Sequence, residues 1–195
     1  MEGWGMTAYG DLSEIPNFHY GLIVADPPWS YANWSKSGEH KNASAKYGCM
    51  GLEAIKTMQV GHLAAKDCVL WLWATNPLLD QAFDVMRAWG FQFKTAGHWS
   101  KKTATGKQAF GTGYILRCAG EPFLIGTMGR PNTSKSVRSV IEGPVREHSR
   151  KPEEAFKAAE KLCGDVPRLE LFSRQERPGW DVFGNETSKF AEVAA

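Results

Sequence analysis

Apolar residues in this chain fall into short runs that alternate between strand-like continuity and helical spacing. Tyr20 to Ala25 (YGLIVA) is apolar throughout and stops at Asp26-Pro27-Pro28, which predicts a buried strand ended by prolines. Ser30 to Gly48 then runs for about twenty residues without an apolar period, a length that in a compact domain marks a functional or mobile loop, here a lid candidate. Leu52 to Ala65 sets Ile55, Met58 and Leu63 at helical spacing and leads into a second buried strand, Cys68 to Thr75 (CVLWLWAT). Leu78 to Trp89 repeats the helical pattern, Gly90 stands where a helix stops, and Phe91 to Trp99 reads as a third strand. Beyond a polar loop, Lys101 to Gly113, the runs Tyr114 to Cys118 and Pro122 to Thr127 flank Ala-Gly-Glu and predict a hairpin. Lys151 to Cys163 predicts a helix with Pro152 near its first turn, Glu153 and Glu154 at its positive end and Gly164 past its stop; Arg168 to Ser173 predicts the last strand.

This alternation predicts an α/β fold, a doubly wound and mostly parallel sheet with an antiparallel edge. Ligands of such sheets sit beyond the carboxyl ends of the strands, where Asp26, Thr75 and Arg174 fall. With 195 residues and 43% hydrophobic content the chain is expected to form one domain, residues 1–195, with a full core. Neither a membrane-length apolar stretch nor a signal pattern is present, so the expected location is cytoplasmic with no membrane partner. Cys49, Cys68, Cys118 and Cys163 lack the paired spacing of zinc or redox sites, and no metal is expected. The net charge of +2 hides a local excess: Thr127 to Lys151 holds Arg130, Lys135, Arg138, Arg146, Arg150 and Lys151 against Glu142 and Glu147. That stretch is either a phosphate-tracking loop or a solvated surface.

Asp26-Pro27-Pro28-Trp29 carries the most chemistry. Neither proline has an N–H, so this stiff segment offers acceptors only. An Asp26 carboxylate beside the Pro27 carbonyl can take both hydrogens of an exocyclic amine, whereas a keto oxygen there would meet only acceptors. Trp29 offers a flat face for a heteroaromatic base, a contact worth about 1–3 kcal/mol. The plainer reading is a Pro-Pro turn with a capping aspartate and a core tryptophan.

The chain here resembles the DPPW-type amino-methyltransferases, relatives of the eukaryotic messenger-RNA adenosine methyltransferase that occur also in bacteria and phages. The resemblance rests on Ala25 to Trp29, Tyr47-Gly48-x-Met50, Leu70 to Thr75, Trp89-Gly90-Phe91, Trp99-Ser100-Lys101 and Gly113 to Arg117. It continues through Glu121, Leu124 to Gly126, Ser149 to Glu154, Glu170 to Arg174 and Gly184-Asn185-Glu186. It implies a Rossmann-like S-adenosylmethionine-dependent methyltransferase fold in permuted motif order, with S-adenosylmethionine as donor. It implies Asp26, Pro27, Pro28 and Trp29 as the catalytic tetrad. Lys151, Arg174 and Asn185 would contact the donor, Arg174 and Glu186 near its ribose and Asn185 near its adenine. Lys151 at a helix start suits the donor's carboxylate, and Glu170 would line the same cavity. Tyr9 to Asp11 would supply a backbone wall. One feature departs from the pattern, Gln175-Glu176-Arg177 standing where a polar ribose contact is expected; the glycine-rich FxGxG stretch of other methyltransferases is absent, as it is from the resembled family.

The activity so implied is methyl transfer to the 6-amino group of adenine in nucleic acid, with DNA favoured over RNA. Such a base must be single-stranded or flipped out, so the loops around Tyr31, Trp34, Lys36 and Tyr47 are candidates to receive it. Glu121, Arg130 and Arg146 join them on the substrate side. Two other readings stay open: methylation of cytosine's 4-amino group, and a catalytically silent RNA- or partner-binding chain. So small a chain is expected to select its targets loosely, with a second subunit or self-association as the other routes.

Overall fold

The computed structural model describes residues 6–30, 49–147, 150–185 and 187. The first long strand occupies the run expected for it: β2, Tyr20–Ala25, is buried at all six positions because neighbours cover both of its faces. It lies between β3 (Ala64–Trp73) and β7 (Arg168–Leu171), parallel to both. Around this centre the sheet runs β1-β8-β7-β2-β3-β5-β4-β6, with β1 at Ala8–Tyr9, β4 at Gln92–Lys102, β5 at Gly120–Met128, β6 at Val140–Pro144 and β8 at Asp181–Phe183. Only β5 is reversed. It is flanked on both sides, by β3 and β4, so the antiparallel pairing lies within the sheet beyond β3.

Alternate residues of the central strands feed two cores. Ile23, Ala25, Leu70, Leu72 and Leu171 face one side, covered by α1 (Leu52–Thr57), α2 (Val60–Leu63) and α3 (Leu79–Ala88). Leu22, Val24, Val69, Trp71 and Trp73 face the other, covered by α4 (Glu153–Cys163) through Ala155, Phe156 and Ala159. On that side Trp71 stacks on Phe123 at 4.1 Å between centroids, and Trp73 meets Trp99 edge-on at 6.3 Å. The helix α3 buries Ala82, Val85 and Met86 and stops at Gly90 in a left-handed conformation (φ 83°), the stop its sequence predicts.

Three expectations change. The helical run from Leu52 breaks into α1 and α2 at Met58, which is extended, while the Trp89 indole N–H donates to the Ile55 carbonyl at 2.8 Å. Tyr114 to Cys118 forms no strand, because β3 and β4 already occupy both edges of β5; the hairpin is β4–β5, and residues 114–118 lie in its connection. Finally β6, whose alternating burial fits an edge strand, cuts the basic stretch in two. Arg130, Lys135 and Arg138 precede it at the end where the parallel strands begin, whereas Arg146, Arg150 and Lys151 follow it at their carboxyl end. None of the helices among the described residues is long and apolar enough to cross a membrane.

Candidate active site

The carboxyl end of β2 delivers Asp26 to the middle of the sheet edge, its N–H reaching the Leu171 carbonyl at 3.4 Å. The following prolines turn the chain away, and three backbone acceptors then fix the corner. The Trp29 N–H donates to the Pro27 carbonyl (2.8 Å), the Met50 N–H to the Pro28 carbonyl (3.0 Å), and the Trp29 indole N–H to the Trp73 carbonyl (3.2 Å). Trp29 is only 5% exposed and packs into the core under α1–α3. The stacking role expected of it is therefore corrected: its faces are already covered, and it anchors the corner. Pro27 keeps one carbonyl lone pair for a ligand, the other being used by Trp29.

Asp26 heads a line of alternating charges. Lys151, just ahead of α4, donates to Asp26 Oδ2 at 2.7 Å and lies 3.1 Å from Glu121 on β5; Lys101 on β4 reaches the same Glu121 at 2.6 Å. Trp73 and Trp99 floor the line, 5.4 Å below the Lys151 ammonium and 4.8 Å below that of Lys101. Burial pushes the Asp26 carboxyl above its ordinary value, and Lys151 opposes that push. Burial also opposes the charge on Glu121, but Lys151 and Lys101 outweigh it and bring Glu121 down to about 2. Lys151, held by two carboxylates, stays charged well above the ordinary lysine range despite its burial. Two of its three N–H donors are committed, which leaves one for a further anion. No other hydrogen bond to Asp26 is made among the described residues, so its second oxygen remains open to a donor.

Beside this line a second cluster closes the gap between β7 and α4. The Arg177 guanidinium carbon sits over the Phe156 ring, 3.5 Å from its centroid, and the side chain is paired with Glu153 and approaches Glu170 at 3.7 Å. Glu153 also takes Arg146 at 2.5 Å, and Gln175 accepts from Arg150 at 2.8 Å. Burial pushes Glu170 up to about 7, against the pull of Arg177 and Ser173. Its Oε2 and the Thr75 hydroxyl are buried without a hydrogen-bond partner. After β7, Phe172 adopts a left-handed conformation (φ 64°) that a side chain tolerates poorly. This turn lies against Gly184, where a Cβ would sit 2.1 Å from the Ser173 carbonyl. It brings Arg174 and Asn185 to the same end of the sheet, and the Arg174 charge favours the ionised form of Asp26.

The MT-A70 family profile matches residues 20–186, which include every element that builds the corner. The chain belongs to the MT-A70 family of methyltransferases. Among similar proteins, the type II methyltransferase M.MunI of Mycoplasma sp is 28% identical over 191 residues, covering 89% of this chain and 80% of that one. An Arabidopsis thaliana protein, "N(6)-adenosine-methyltransferase MT-A70-like", is 28% identical over 86% of this chain and 24% of its own length. Human N(6)-adenine-specific methyltransferase METTL4 is 27% identical over 89% and 39%. This MT-A70 chain thus spans most of the Mycoplasma protein but only about a quarter of the plant one.

Of the residues expected in the site, Asp26, Pro27, Glu121, Lys151, Glu170, Arg174 and Asn185 come to one end of the sheet of this MT-A70 chain. Tyr31, Trp34, Lys36, Tyr47 and Glu186 lie outside the described residues. Arg130 is corrected: its N–H is held by Asp67 at 2.7 Å, beside the start of β3 and a strand length from Asp26. Arg146 stands at the site end of the sheet and pairs with Glu153 at 2.5 Å through one of its guanidinium nitrogens. Arg130→Ala should therefore leave the KM for an oligonucleotide within about twofold, its charge lying more than a Debye length from the corner; steady-state kinetics checks this. Gln175 and Arg177, the uncertain ribose positions, turn instead toward the start of α4. Sequence reasoning missed Lys101 as a site residue. Its signal was present in Trp99-Ser100-Lys101, but the link needs the Trp99–Glu121 register of the β4–β5 hairpin.

The Glu170 shift has a measurable consequence. An unfolded glutamate titrates near 4.5 and the folded one at about 7, so the folded state holds the extra proton and loses stability as pH rises from about 4.5 through 7. Glu170→Gln removes that loss. Relative to the parent, the variant is expected to gain roughly 3 kcal/mol between pH 4 and pH 8, read from denaturant unfolding at both values.

Proposed function

We propose that this chain transfers a methyl group from S-adenosylmethionine to the exocyclic 6-amino group of adenine in nucleic acid, with DNA the favoured substrate. The observation that carries the reading is the donor-free corner: an aspartate with one open oxygen, the remaining lone pair of the Pro27 carbonyl, and no N–H on either proline. An amine satisfies both acceptors, whereas a keto oxygen in its place would leave them unpaired and lose several kcal/mol of recognition. The similarity to proteins named for adenine or adenosine methylation supports adenine, and the 80% coverage of a type II methyltransferase supports DNA.

The residues present fit such a donor. Lys151 has one N–H left for a carboxylate, Glu170 Oε2 and Thr75 Oγ1 are buried polar atoms without a hydrogen-bond partner, and Arg174 and Asn185 follow strands that end on the same side of the sheet. When bound, S-adenosylmethionine supplies a methyl carbon already activated by its sulfonium. The chain's own task is to prepare the nucleophile. An adenine 6-amino nitrogen is weakly nucleophilic because its lone pair is delocalised into the ring. Hydrogen bonds from its two hydrogens to Asp26 and Pro27 favour a pyramidal nitrogen and stabilise the positive charge that develops on it. The methylated nitrogen then loses one proton, to Asp26 or to water, and no prior deprotonation is needed. The buried line Asp26–Lys151–Glu121–Lys101 holds the acceptor oxygen in place before substrate arrives.

The test is transfer of labelled methyl to single- and double-stranded oligodeoxynucleotides and to matched RNA, followed by nucleoside analysis. N6-methyladenine in DNA is the expected product. Label in 4-methylcytosine, or none in any substrate while the donor still binds, would overturn the reading.

A further inference from the structure

The connection from β4 to β5, residues 103–119, exposes a run of large apolar side chains: Ile115 is 97% exposed, Leu116 82% and Phe110 68%. Apolar tips on a surface of this kind mark a contact site. The loop is built to hold them out. Gly111 N–H donates to the Cys118 carbonyl at 2.8 Å and Cys118 N–H to the Thr112 carbonyl at 3.3 Å, while a Cβ on Gly113 would lie 2.0 Å from the Leu116 carbonyl. Below this closure the Gln108 amide bridges the Lys101 and Ala119 carbonyls at 2.9 and 2.8 Å.

The loop springs from the active-site line. Lys101 and Glu121 bracket it, they pair with each other, and Glu121 shares Lys151 with Asp26. Its charge is of one sign: residues 103–119 contain Lys107 and Arg117 and no acid. Arg117 lies over the Phe110 ring at 5.6 Å, which presents cation and apolar tip together.

We infer that this knuckle is a duplex wedge: Ile115 and Leu116 enter the base stack beside the target and fill the space an extruded adenine leaves, with Lys107 and Arg117 meeting the flanking phosphates. The inference rests on the proposed methylation of adenine in nucleic acid. A base inside a duplex cannot reach the Asp26 corner, and unstacking it costs a few kcal/mol, which an inserted aliphatic side chain offsets. Positive charge at the rim of the tip complements phosphate. A second copy of the chain is the weaker occupant, since a few side chains at one loop tip fall well short of the ~800 Å² per partner that a stable dimer buries.

The experiment compares the full chain with its Ile115→Ser/Leu116→Ser variant on one sequence pool with a central adenine, as duplex and as single strand. Both substitutions lie on the surface, so the fold is retained. The ratio of duplex to single-strand methylation is expected to fall about tenfold or more in the variant. In parallel, the fluorescence rise of 2-aminopurine placed at the central position should be lost from the duplex. An unchanged ratio would overturn the wedge. So would equal losses on both substrates accompanied by a drop in sedimentation from dimer to monomer, which would make the knuckle a subunit contact. A parent chain inactive on both substrates would refute the proposed activity itself, while the fluorescence arm would still decide whether the knuckle extrudes a base.

Discussion

Asp26→Ala is expected to lower methyl transfer about a thousandfold or more, because it removes the acceptor that favours the pyramidal amine and stabilises its developing charge. The fold should survive. Lys151 keeps Glu121 as a partner at 3.1 Å, so the substitution leaves no buried ammonium without a counter-charge. Donor affinity measured by calorimetry should accordingly change by less than about tenfold. Asp26→Asn is a sharper probe. Its amide oxygen can still accept, but its amide hydrogens would face either Lys151 or the substrate amine, so transfer should remain at least about a hundredfold below the parent.

Lys151→Met has the opposite balance and should be more damaging to the protein as a whole. It leaves Asp26 and Glu121, both largely removed from solvent, with Lys101 on the far side of Glu121 and the Arg174 charge acting on Asp26. Removing one member of a buried charge pair costs about 3–5 kcal/mol, visible in denaturant unfolding. The burial that already pushes Asp26 upward would then act unopposed by its main partner. Below its raised value Asp26 is protonated and accepts poorly, so whatever activity remains should have its acid limb displaced to higher pH than in the parent. A variant with parental stability and an unmoved acid limb would show that the Asp26–Lys151 pair is not what prepares the site.

What the sequence revealed followed burial on two faces. β2 could be bounded from its letters because a central parallel strand has no solvent side and is apolar at every position. The corner after it could be read because two consecutive prolines constrain the backbone whatever surrounds them. Tyr114 to Cys118 shows the limit: an apolar run predicts burial, yet Ile115 and Leu116 point outward because no sheet edge was left for them. β6 escaped notice since an edge strand alternates with polar residues, and missing it hid the division of the basic stretch between opposite ends of the sheet. Trp29 illustrates a different gap. Its indole could stack on a ligand or pack in the core, and only the positions of Trp73 and the helices α1–α3 decide between them. The partnership of Lys101 with Glu121 depends on strand register twenty residues apart, which local pattern does not encode.

The most direct measurement is a crystal structure of the chain with S-adenosylhomocysteine and an adenine-containing oligonucleotide. The adenine 6-amino nitrogen should lie about 3 Å from both an Asp26 carboxylate oxygen and the Pro27 carbonyl, with its free side toward the cofactor sulfur. An adenine bound with that amine turned away from Asp26, or a cofactor seated with its sulfur at another part of the sheet, would contradict the account.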